Sequence, residues 1–266
     1  MKVASLFIYP IKSCAEFRVS ELDLQPYGPK HDRQFVIVDE KGQAITQREA
    51  PKLATVLTAL DSDRLYVVLP GRSKGLQIPL IRENGQEREA VVWGDTCRGF
   101  DEGPEVAYEF SSFLGRPARL VRYLPQNPRL RMSSHLNTRV SISFADAYPL
   151  LVISKASLDD LNSRLPRDER PLLMNRFRPN IVIEGPRPYE EDEWAAISVS
   201  GVGLQGVNQC VRCATTLVDQ ATGESGKEPL RTLNQYRKTP KGVVFGRNFI
   251  HLAEGVIHDG DSVMLA

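Results

Sequence analysis

The 266-residue chain has few cysteines, no long apolar run and almost no net charge. Its four cysteines are too few for the disulfide framework of a secreted domain, so we expect reduced thiols and a cytoplasmic protein. No apolar stretch approaches the roughly 20 residues that span a bilayer, and the apolar start is broken early, at Pro10. This start predicts a first strand rather than a signal peptide, and we expect no membrane contact.

The charge balance and the missing motifs exclude further classes of function. A formal net charge of +1 argues against a nucleic-acid-binding surface that depends on bulk electrostatics. The sequence contains no P-loop, no internal repeat and no low-complexity segment. None of the four histidines has a recognisable catalytic context, and the acidic run from Glu190 to Glu193 is predicted to be a solvated loop. A hydrophobic fraction of 41% is that of an ordinary globular protein with a substantial core.

Short alternating segments predict a protein that is mostly β with a few helices. In the first hundred residues they predict an antiparallel sheet or barrel, with strands at 2–8, 16–24, 35–39, 44–47, 65–69, 76–79 and 90–93. A helix is predicted over 104–114, with Gly115 as its stop. Later strands are predicted at 120–123, 150–153, 181–183, 197–199, 202–207, 248–252 and 263–265.

A second helix is predicted to begin at Ser154 or Ser157 and to end near Leu165, because a hydroxyl side chain caps a leucine-rich face. The segment 125–139 is rich in proline, arginine and serine and has little apolar pattern. We therefore expect it to be a connecting loop and divide the chain into domains 1–125 and 126–266.

The stretch with the most chemistry in it is Cys210-Val-Arg-Cys213. The run 214–218 predicts a buried strand and 219–223 a turn. An adjacent guanidinium, here Arg212, favours the thiolate form of a cysteine. Three kinds of site fit: a thioredoxin-like redox pair, half of a zinc site, or one thiolate that holds a softer metal. Two buried structural cysteines are the plainer alternative.

Two of these alternatives have specific weaknesses. A thioredoxin-like pair opens a helix, whereas the sequence here predicts a strand. A four-ligand zinc site needs a second pair of ligands, but Cys14 and Cys97 are isolated in the sequence.

Several basic residues stand at predicted strand ends. Lys12 and Ser13 lie in the turn after the first strand, and a Lys-Ser turn with a free backbone amide can bind an anion. Arg33 precedes a strongly β-branched strand, although Asp32 could simply pair with it. Arg178 precedes another buried strand. In a chain of near-zero net charge, this placement predicts a local pocket for a phosphorylated or otherwise anionic ligand.

A set of short motifs runs nearly end to end along the chain. They are Tyr9-Pro-Ile-Lys-Ser13, His31-Asp-Arg-Gln-Phe35, Ser143-Phe-Ala-Asp-Ala-Tyr-Pro149, Ala156-Ser-Leu-Asp-Asp-Leu161, Phe177-Arg-Pro-Asn-Ile-Val182, Cys210-Val-Arg-Cys213, Val218-Asp-Gln-Ala-Thr-Gly223, Glu228-Pro-Leu-Arg-Thr-Leu233, Phe245-Gly-Arg-Asn248 and Gly260-Asp-Ser-Val263. In this order they resemble the MOSC superfamily, and within it the subgroup of mitochondrial amidoxime-reducing components and bacterial reductases of N-hydroxylated bases. The resemblance implies an N-terminal β-barrel-like domain followed by a MOSC β-barrel domain.

The resemblance also implies a molybdenum–molybdopterin cofactor whose single protein ligand is Cys213, with Arg212 beside it in the catalytic site. The residues that match the family's cofactor-binding pattern are Lys12, Ser13, Arg33, Arg178 and Arg212. Three further residues stand at family positions near the cofactor but differ in residue type from the animal members: Tyr148, Val211 and Asn248. Ala147 also differs, since animal members have small hydroxyl residues at the positions of Ala147 and Tyr148. Cys210 is then expected either to pack in the core or to support the residues that contact the cofactor.

The activity implied is reduction of N-hydroxylated compounds such as amidoximes, hydroxylamines and hydroxylated nucleobases. Because the chain has no ferredoxin-type cysteine cluster, electrons are expected from a separate flavin reductase or iron–sulfur protein. The alternative function is a non-catalytic protein that binds the molybdenum cofactor or carries sulfur as a persulfide on Cys213.

Overall fold

The structure, a computed structural model, describes residues 1–72, 74–133 and 138–266. The strands in these residues are β1 (Lys2–Ile8), β2 (Phe17–Val19), β3 (Glu21–Gln25), β4 (Gly28–Pro29), β5 (Phe35–Val38), β6 (Leu57–Leu60), β7 (Arg64–Val68), β8 (Leu76–Pro79), β9 (Glu87–Val92), β10 (Asp95–Asp101), β11 (Arg119–Tyr123), β12 (Arg129–Ser133), β13 (Thr138–Ile142), β14 (Leu150–Ser154), β15 (Ile181–Glu184), β16 (Ala196–Val199), β17 (Val202–Val211), β18 (Lys238–Thr239), β19 (Gly242–His251), β20 (Gly255–His258) and β21 (Val263–Leu265).

Three α-helices accompany the strands: α1 (Pro104–Leu114), α2 (Lys155–Arg164) and α3 (Leu230–Tyr236). Helix α1 begins with proline at its first position and ends at Gly115, whose φ of 72° is available to glycine at little cost. Ser154 caps α2 by accepting a hydrogen bond from the Ser157 amide. Short 3-10 helices cover Pro51–Thr55, Arg167–Glu169, Met174–Arg176, Glu190–Glu193 and Ala214–Leu217.

Most strands belong to one large sheet and one smaller sheet. The large sheet has the order β2-β1-β15-β14-β19-β17-β16-β21, with β18 paired to β19. All its pairs are antiparallel except β14 with β15. The smaller sheet has the order β5-β11-β10-β9, and three short sheets comprise β12-β13, β20-β3-β4 and β6-β7-β8. Neighbours such as β9 and β10, or β16 and β17, are antiparallel because a tight turn between two strands reverses the chain.

The first strand joins the sheet that the second half of the chain forms. In β1, Leu6 pairs with Ile181 of β15, and Leu22 of β3 pairs with Ile257 of β20. Leu6 is fully buried among second-half residues such as Trp194. The two halves of the chain therefore share one apolar core in addition to a separate core inside the first half.

The structure confirms the predicted fold class and most predicted elements. Helix α1 and strand β8 have the bounds expected from the sequence, and α2 and β14 agree within one residue. These segments combine a regular apolar period with a clear cap or turn, which are the strongest local signals. Among the described residues, no helix is both long and apolar enough to cross a bilayer.

The predicted strand at 214–218 is wrong. The segment forms the 3-10 helix Ala214–Leu217, and only Val218 makes an isolated bridge, to Ser225. The Cys213 carbonyl accepts hydrogen bonds from both the Thr216 amide, at 3.1 Å, and the Thr216 hydroxyl, at 3.0 Å. A threonine that bonds the chain behind it stabilises a turn despite its β-branched side chain.

Three other expectations also fail. The segment 44–47 forms only a bridge at Ala44. The predicted loop 125–139 contains β12 and the start of β13, while 134–137 lies outside the described residues. The acidic run is not fully solvated, because Glu191 is completely buried and accepts hydrogen bonds from Ser154 and Ser157. Strands β6, β10 and β20 and the seven-residue helix α3 were not predicted.

Two glycine patterns that form a dinucleotide site or a nucleophile elbow in other folds lie between antiparallel strands in this protein. Gly201-Val-Gly-Leu-Gln-Gly206 spans the turn between β16 and β17 and continues into an antiparallel strand. A dinucleotide site needs this pattern between a strand and a helix. Gly71-Arg-Ser-Lys-Gly75 connects the antiparallel strands β7 and β8, whereas a nucleophile elbow also joins a strand to a helix; Ser73 itself lies outside the described residues.

Candidate functional site

A cavity of about 420 Å³ opens where the large sheet meets the loops of the first half. The nine residues predicted for the site all line it: Lys12, Ser13, Arg33, Tyr148, Arg178, Val211, Arg212, Cys213 and Asn248. Ala147, Asp146 and Cys210 line it as well. Residues as far apart in the sequence as Lys12 and Asn248 thus meet at one place, although their roles stay predictions.

Strand register explains why these segments meet. Because β1 and β15 are antiparallel, the chain that leaves β1 towards Lys12 lies beside the chain that enters β15 from Arg178. Strands β14 and β15 are parallel, so Tyr148, just before β14, enters the sheet at the same end. On the other side of β14, Asn248 of β19 pairs with Leu151. Strand β17 then pairs with β19 and carries the chain to Cys213.

Three of the predicted residues have an unusual backbone conformation. Ser13, Arg33 and Arg178 have φ values of 70°, 46° and 57°. Positive φ is uncommon outside glycine and costs on the order of 1 kcal/mol per residue. Such conformations concentrate at functional sites, where the surrounding structure holds them in place.

Lys12 is held at the floor of the cavity, where it is 5% exposed. Its Nζ donates to the Phe144 carbonyl at 2.9 Å and pairs with Asp146. Burial lowers the pKa of the Lys12 ammonium against the opposing attraction of Asp146. The ammonium therefore gains from any further negative charge that enters the cavity.

Arg33 and Arg178 stack on one tyrosine. Their guanidinium carbons lie 4.3 and 4.2 Å from the ring centre of the buried Tyr9. Arg33 also pairs with the buried Asp32 at 2.6 Å, as the sequence allowed, and donates to the Arg178 carbonyl at 3.1 Å. Arg178 donates to the Cys14 carbonyl at 2.7 Å. These contacts fix both guanidinium planes.

Arg212 contacts Cys210 and not Cys213, the cysteine that the sequence places beside it in the catalytic site. Its Nη1 lies 3.0 Å from Cys210 Sγ, and its Nη2 donates to the Phe177 carbonyl at 2.6 Å. Cys213 Sγ instead lies 3.3 Å from the Thr215 hydroxyl. The side chains alternate because Cys210 still belongs to β17, whereas Cys213 follows its end. In this arrangement the Cys213 thiol is not engaged by the guanidinium.

The cavity lining carries a strong excess of positive charge. Six of its residues are basic, Lys12, Arg33, Arg48, Arg131, Arg178 and Arg212, and Asp146 is the one carboxylate among the described lining residues. Among the residues that the structure describes, no carboxylate lies within 4.0 Å of the Arg48, Arg178 or Arg212 guanidinium. A protein with a net charge of +1 therefore concentrates cations at one cavity.

Several lining residues were missed from the sequence, including Thr46, Arg48, Trp93, Arg131, Asn180 and Asn208. Most of them belong to loops and strands with no local chemical pattern. Trp93 was the detectable one, because a tryptophan directly before glycine in a tight turn is an unusual choice.

Comparison with known proteins identifies the family. Residues 1–117 match the MOSC N-terminal beta barrel domain, and residues 139–264 match the MOSC domain. The chain belongs to the MOSC family. The cavity is lined from both matched regions of this MOSC protein, since Lys12 and Arg33 come from the first and Arg178 and Cys213 from the second. The exact division at residue 125 stays a prediction.

Named MOSC relatives cover nearly the whole chain. Mitochondrial amidoxime-reducing component 1 of Mus musculus is 37% identical over 281 aligned residues, which cover 99% of this chain and 82% of that protein. The Homo sapiens protein of the same name is 35% identical with the same coverage. Molybdenum cofactor sulfurase of Oryza sativa subsp. japonica is 32% identical over 94% of this chain, which spans 33% of that longer protein.

A zinc site does not fit this MOSC structure. Among the described residues, no three His, Cys, Asp or Glu side chains gather closely enough to hold a metal ion. The 3-10 helix that follows Cys213 removes one argument against a thioredoxin-like pair, namely the strand predicted there. The position of Cys213 at the start of a short 3-10 helix, however, provides less than two turns of aligned dipoles.

Proposed function

We propose that this MOSC protein is a molybdenum-cofactor-dependent reductase of N-hydroxylated compounds, with Cys213 as the single protein ligand to molybdenum. The observation that carries the proposal is the cavity itself, which is lined by six basic side chains and two thiols, one of them Cys213. The amidoxime-reducing relatives, at 35% identity and above, support the same activity.

The lining residues fit a molybdenum–molybdopterin cofactor. Its terminal phosphate is an anion, and guanidinium groups bind phosphate through paired hydrogen bonds. Arg212 Nε is buried and has no hydrogen-bond partner among the described residues, so it has a donor left for a ligand. Thiolate is a ligand suited to soft metals, and the Cys213 thiol is partly exposed at the cavity.

When bound, the cofactor would supply two-electron redox chemistry. Overall the N–O bond of the N-hydroxylated substrate breaks, two electrons and two protons are taken up, and the oxygen leaves as water. The protein binds and orients: Arg33 and Arg178 are fixed by Tyr9, and Lys12 adds a buried cation. Tyr148, Val211 and Asn248 complete the wall.

The electrons come from a separate donor protein of the flavin reductase or iron–sulfur class. The cysteine pattern of the sequence supports this part of the proposal, since its four cysteines do not form a ferredoxin-type cluster motif. The substrate is a small molecule, and neither nucleic acid nor a membrane is part of the proposal. A cytoplasmic location stays a prediction.

Replacing the proposed ligand tests the function directly. Cys213→Ala should abolish reduction of benzamidoxime, measured with a chemical or enzymatic electron donor, while circular dichroism shows an intact fold. Cys210→Ala is the matched control, since it removes a neighbouring thiol that also lines the cavity. It should retain most activity, although it removes the sulfur 3.0 Å from Arg212. Full activity in Cys213→Ala would sink the assignment.

The second candidate is a protein that binds the cofactor, or carries sulfur on Cys213, without turnover. The similarity to molybdenum cofactor sulfurase favours keeping it. Metal-free protein that carries labile sulfur on Cys213 and fails to reduce benzamidoxime would favour the carrier over the reductase.

A further inference from the structure

Trp93 occupies a position in a turn that normally suits a small residue. It follows β9 and precedes Gly94, and because Val92 pairs with Asp95, the two residues form a two-residue hairpin turn. Their φ values are 55° and 85°. A turn with two positive φ values prefers asparagine or glycine first, and a bulky aromatic there is strained. Local folding therefore does not explain the tryptophan.

The indole stands in the wall of the cavity and is engaged on two sides. The Arg48 guanidinium carbon lies 4.1 Å from the ring centre, and the indole Nε1 donates to Asp146 Oδ1 at 2.8 Å. Asp146 in turn pairs with Lys12. Trp93, Arg48, Asp146 and Lys12 all line the cavity, yet 51% of Trp93 stays exposed. A large flat surface thus remains available beside the cationic lining.

The turn and the facing loop are anchored by one buried arginine. The Arg129 guanidinium, 4% exposed, donates to the Val92 carbonyl at 3.4 Å and to the Ser143 carbonyl at 3.5 Å. Its Nε also bonds Asp95 at 2.9 Å. Both ends of the turn are therefore tied to the loop that carries Asp146, which holds the indole in place although its backbone is strained.

We infer that Trp93, with Arg48 stacked on it, is a specificity-determining residue that selects N-hydroxylated substrates built on a planar aromatic group. The inference rests on the proposed reductase function. A half-exposed indole offers stacking to a flat π-system, such as an aryl amidoxime or an N-hydroxylated base, and offers little to a small aliphatic group. The guanidinium behind the ring keeps it in that orientation.

Two amidoximes, one with an aryl group and one with a methyl group in its place, test the role of Trp93 in selectivity. Benzamidoxime and acetamidoxime should be compared in the wild type and in Trp93→Asn, which installs the residue that the turn prefers. We expect kcat/KM for benzamidoxime to fall by about three- to tenfold, the range that one aromatic pair contributes. The value for acetamidoxime should stay unchanged, and the melting temperature should not fall.

Two further variants separate the contributions. Trp93→Phe keeps an aromatic face but loses the hydrogen bond to Asp146, so it should retain most of the preference for benzamidoxime. Tyr108→Ala is the matched control: Tyr108 is also an exposed aromatic beside an arginine, but it lies on α1 outside the cavity lining. It should leave both substrates unaffected. Equal loss for both amidoximes in Trp93→Asn, or loss for neither, would overturn the inference.

Substrate binding can be measured by tryptophan fluorescence without any reduction of the substrate. This measurement tests the role of Trp93 independently of the proposed reductase activity. The sequence has two tryptophans, and Trp194 is only 3% exposed. Benzamidoxime should therefore quench the fluorescence of wild-type protein through Trp93, and acetamidoxime should not. Trp93→Phe should abolish the quenching. If the wild type reduces neither amidoxime, the reductase proposal fails, while quenching specific to benzamidoxime still supports the role of Trp93 and its absence contradicts it.

Discussion

At the scale of single residues, the basic side chains of the cavity are held mostly by main-chain oxygens. Lys12 donates to the Phe144 carbonyl, Arg178 to the Cys14 carbonyl and Arg212 to the Phe177 carbonyl. Neutral carbonyls satisfy donors and fix their direction without cancelling the charge. The cavity consequently keeps a positive potential that an anionic group can use.

Three of the basic residues also pair with a carboxylate: Lys12 with Asp146, Arg131 with Asp95 and Arg33 with the buried Asp32. Asp32→Asn should lower the free energy of unfolding by about 3–5 kcal/mol, since it leaves the mostly buried Arg33 guanidinium without its anion. Asp259→Asn is the control, because Asp259 pairs with Arg18 at the surface and should cost less than about 1 kcal/mol. Urea unfolding at neutral pH measures both. An Asp32→Asn effect no larger than the control would contradict the structural role given to this pair.

At the scale of elements, the sequence predicted what local patterns determine. Helix α1 was recognised because a proline start, an apolar face and a glycine stop agree. Apolar and β-branched residues predict a strand over 214–218, but hydrogen bonds to Cys213 stabilise a 3-10 helix, Ala214–Leu217, in its place. Strand β12 was missed because its Arg129 is buried by contacts with distant residues.

The site shows the same division between local and distant information. The basic residues at strand ends predicted an anionic ligand from the sequence alone, and the motif resemblance predicted that this ligand is a molybdenum–molybdopterin cofactor. Neither could show that Arg212 contacts Cys210 and not Cys213, because that depends on where β17 ends. Trp93 and Arg48 likewise come together only through the folded turn.

The N-terminus of α2 depends on a buried carboxyl group from outside the helix. Glu191 accepts hydrogen bonds from the Ser154 amide and the Ser157 hydroxyl, and burial raises the pKa of Glu191. A raised carboxyl pKa means that the folded state holds the proton more tightly than the unfolded state does. Stability should therefore fall as pH rises from about 4.5 through the folded-state pKa.

Glu191→Gln removes this dependence. The variant should have a higher urea midpoint than the wild type at pH values well above the folded-state pKa. The difference should shrink as the pH falls below about 4.5, the ordinary pKa of a glutamate, because both states of the wild type become protonated there. Glu193→Gln, an exposed residue of the same short 3-10 helix, should change stability by less than about 0.5 kcal/mol at either pH. A difference for Glu191→Gln that is constant with pH would contradict the explanation.

At the scale of the whole molecule, the two matched regions of the family are joined by a shared sheet. Strand β1 lies in the first match but pairs with β15 of the second. The cavity is built from both regions in the same way. We therefore expect the chain to unfold as one cooperative unit and the site to be lost with it.

Leu6 provides the test of this coupling. In the background of Trp93→Phe, Trp194 is the remaining tryptophan and reports on the second region. Leu6→Ala, in the first region but fully buried in the shared core, should destabilise the Trp194 transition by about 2–5 kcal/mol. Leu57→Ala, at a position that is 57% exposed, should leave it nearly unchanged. An unshifted Trp194 transition in Leu6→Ala would show that the regions unfold independently.

The central claim is that the basic cavity holds a molybdenum–molybdopterin cofactor through Cys213. Protein purified from cells that synthesise the cofactor should be assayed for molybdenum by elemental analysis and for pterin by the fluorescence of its oxidised form. We predict roughly one molybdenum and one pterin per chain in the wild type, because the proposed site uses a single protein ligand, Cys213. Cys213→Ser should lose most of the molybdenum while remaining folded. Folded wild-type protein without molybdenum or pterin would contradict the account.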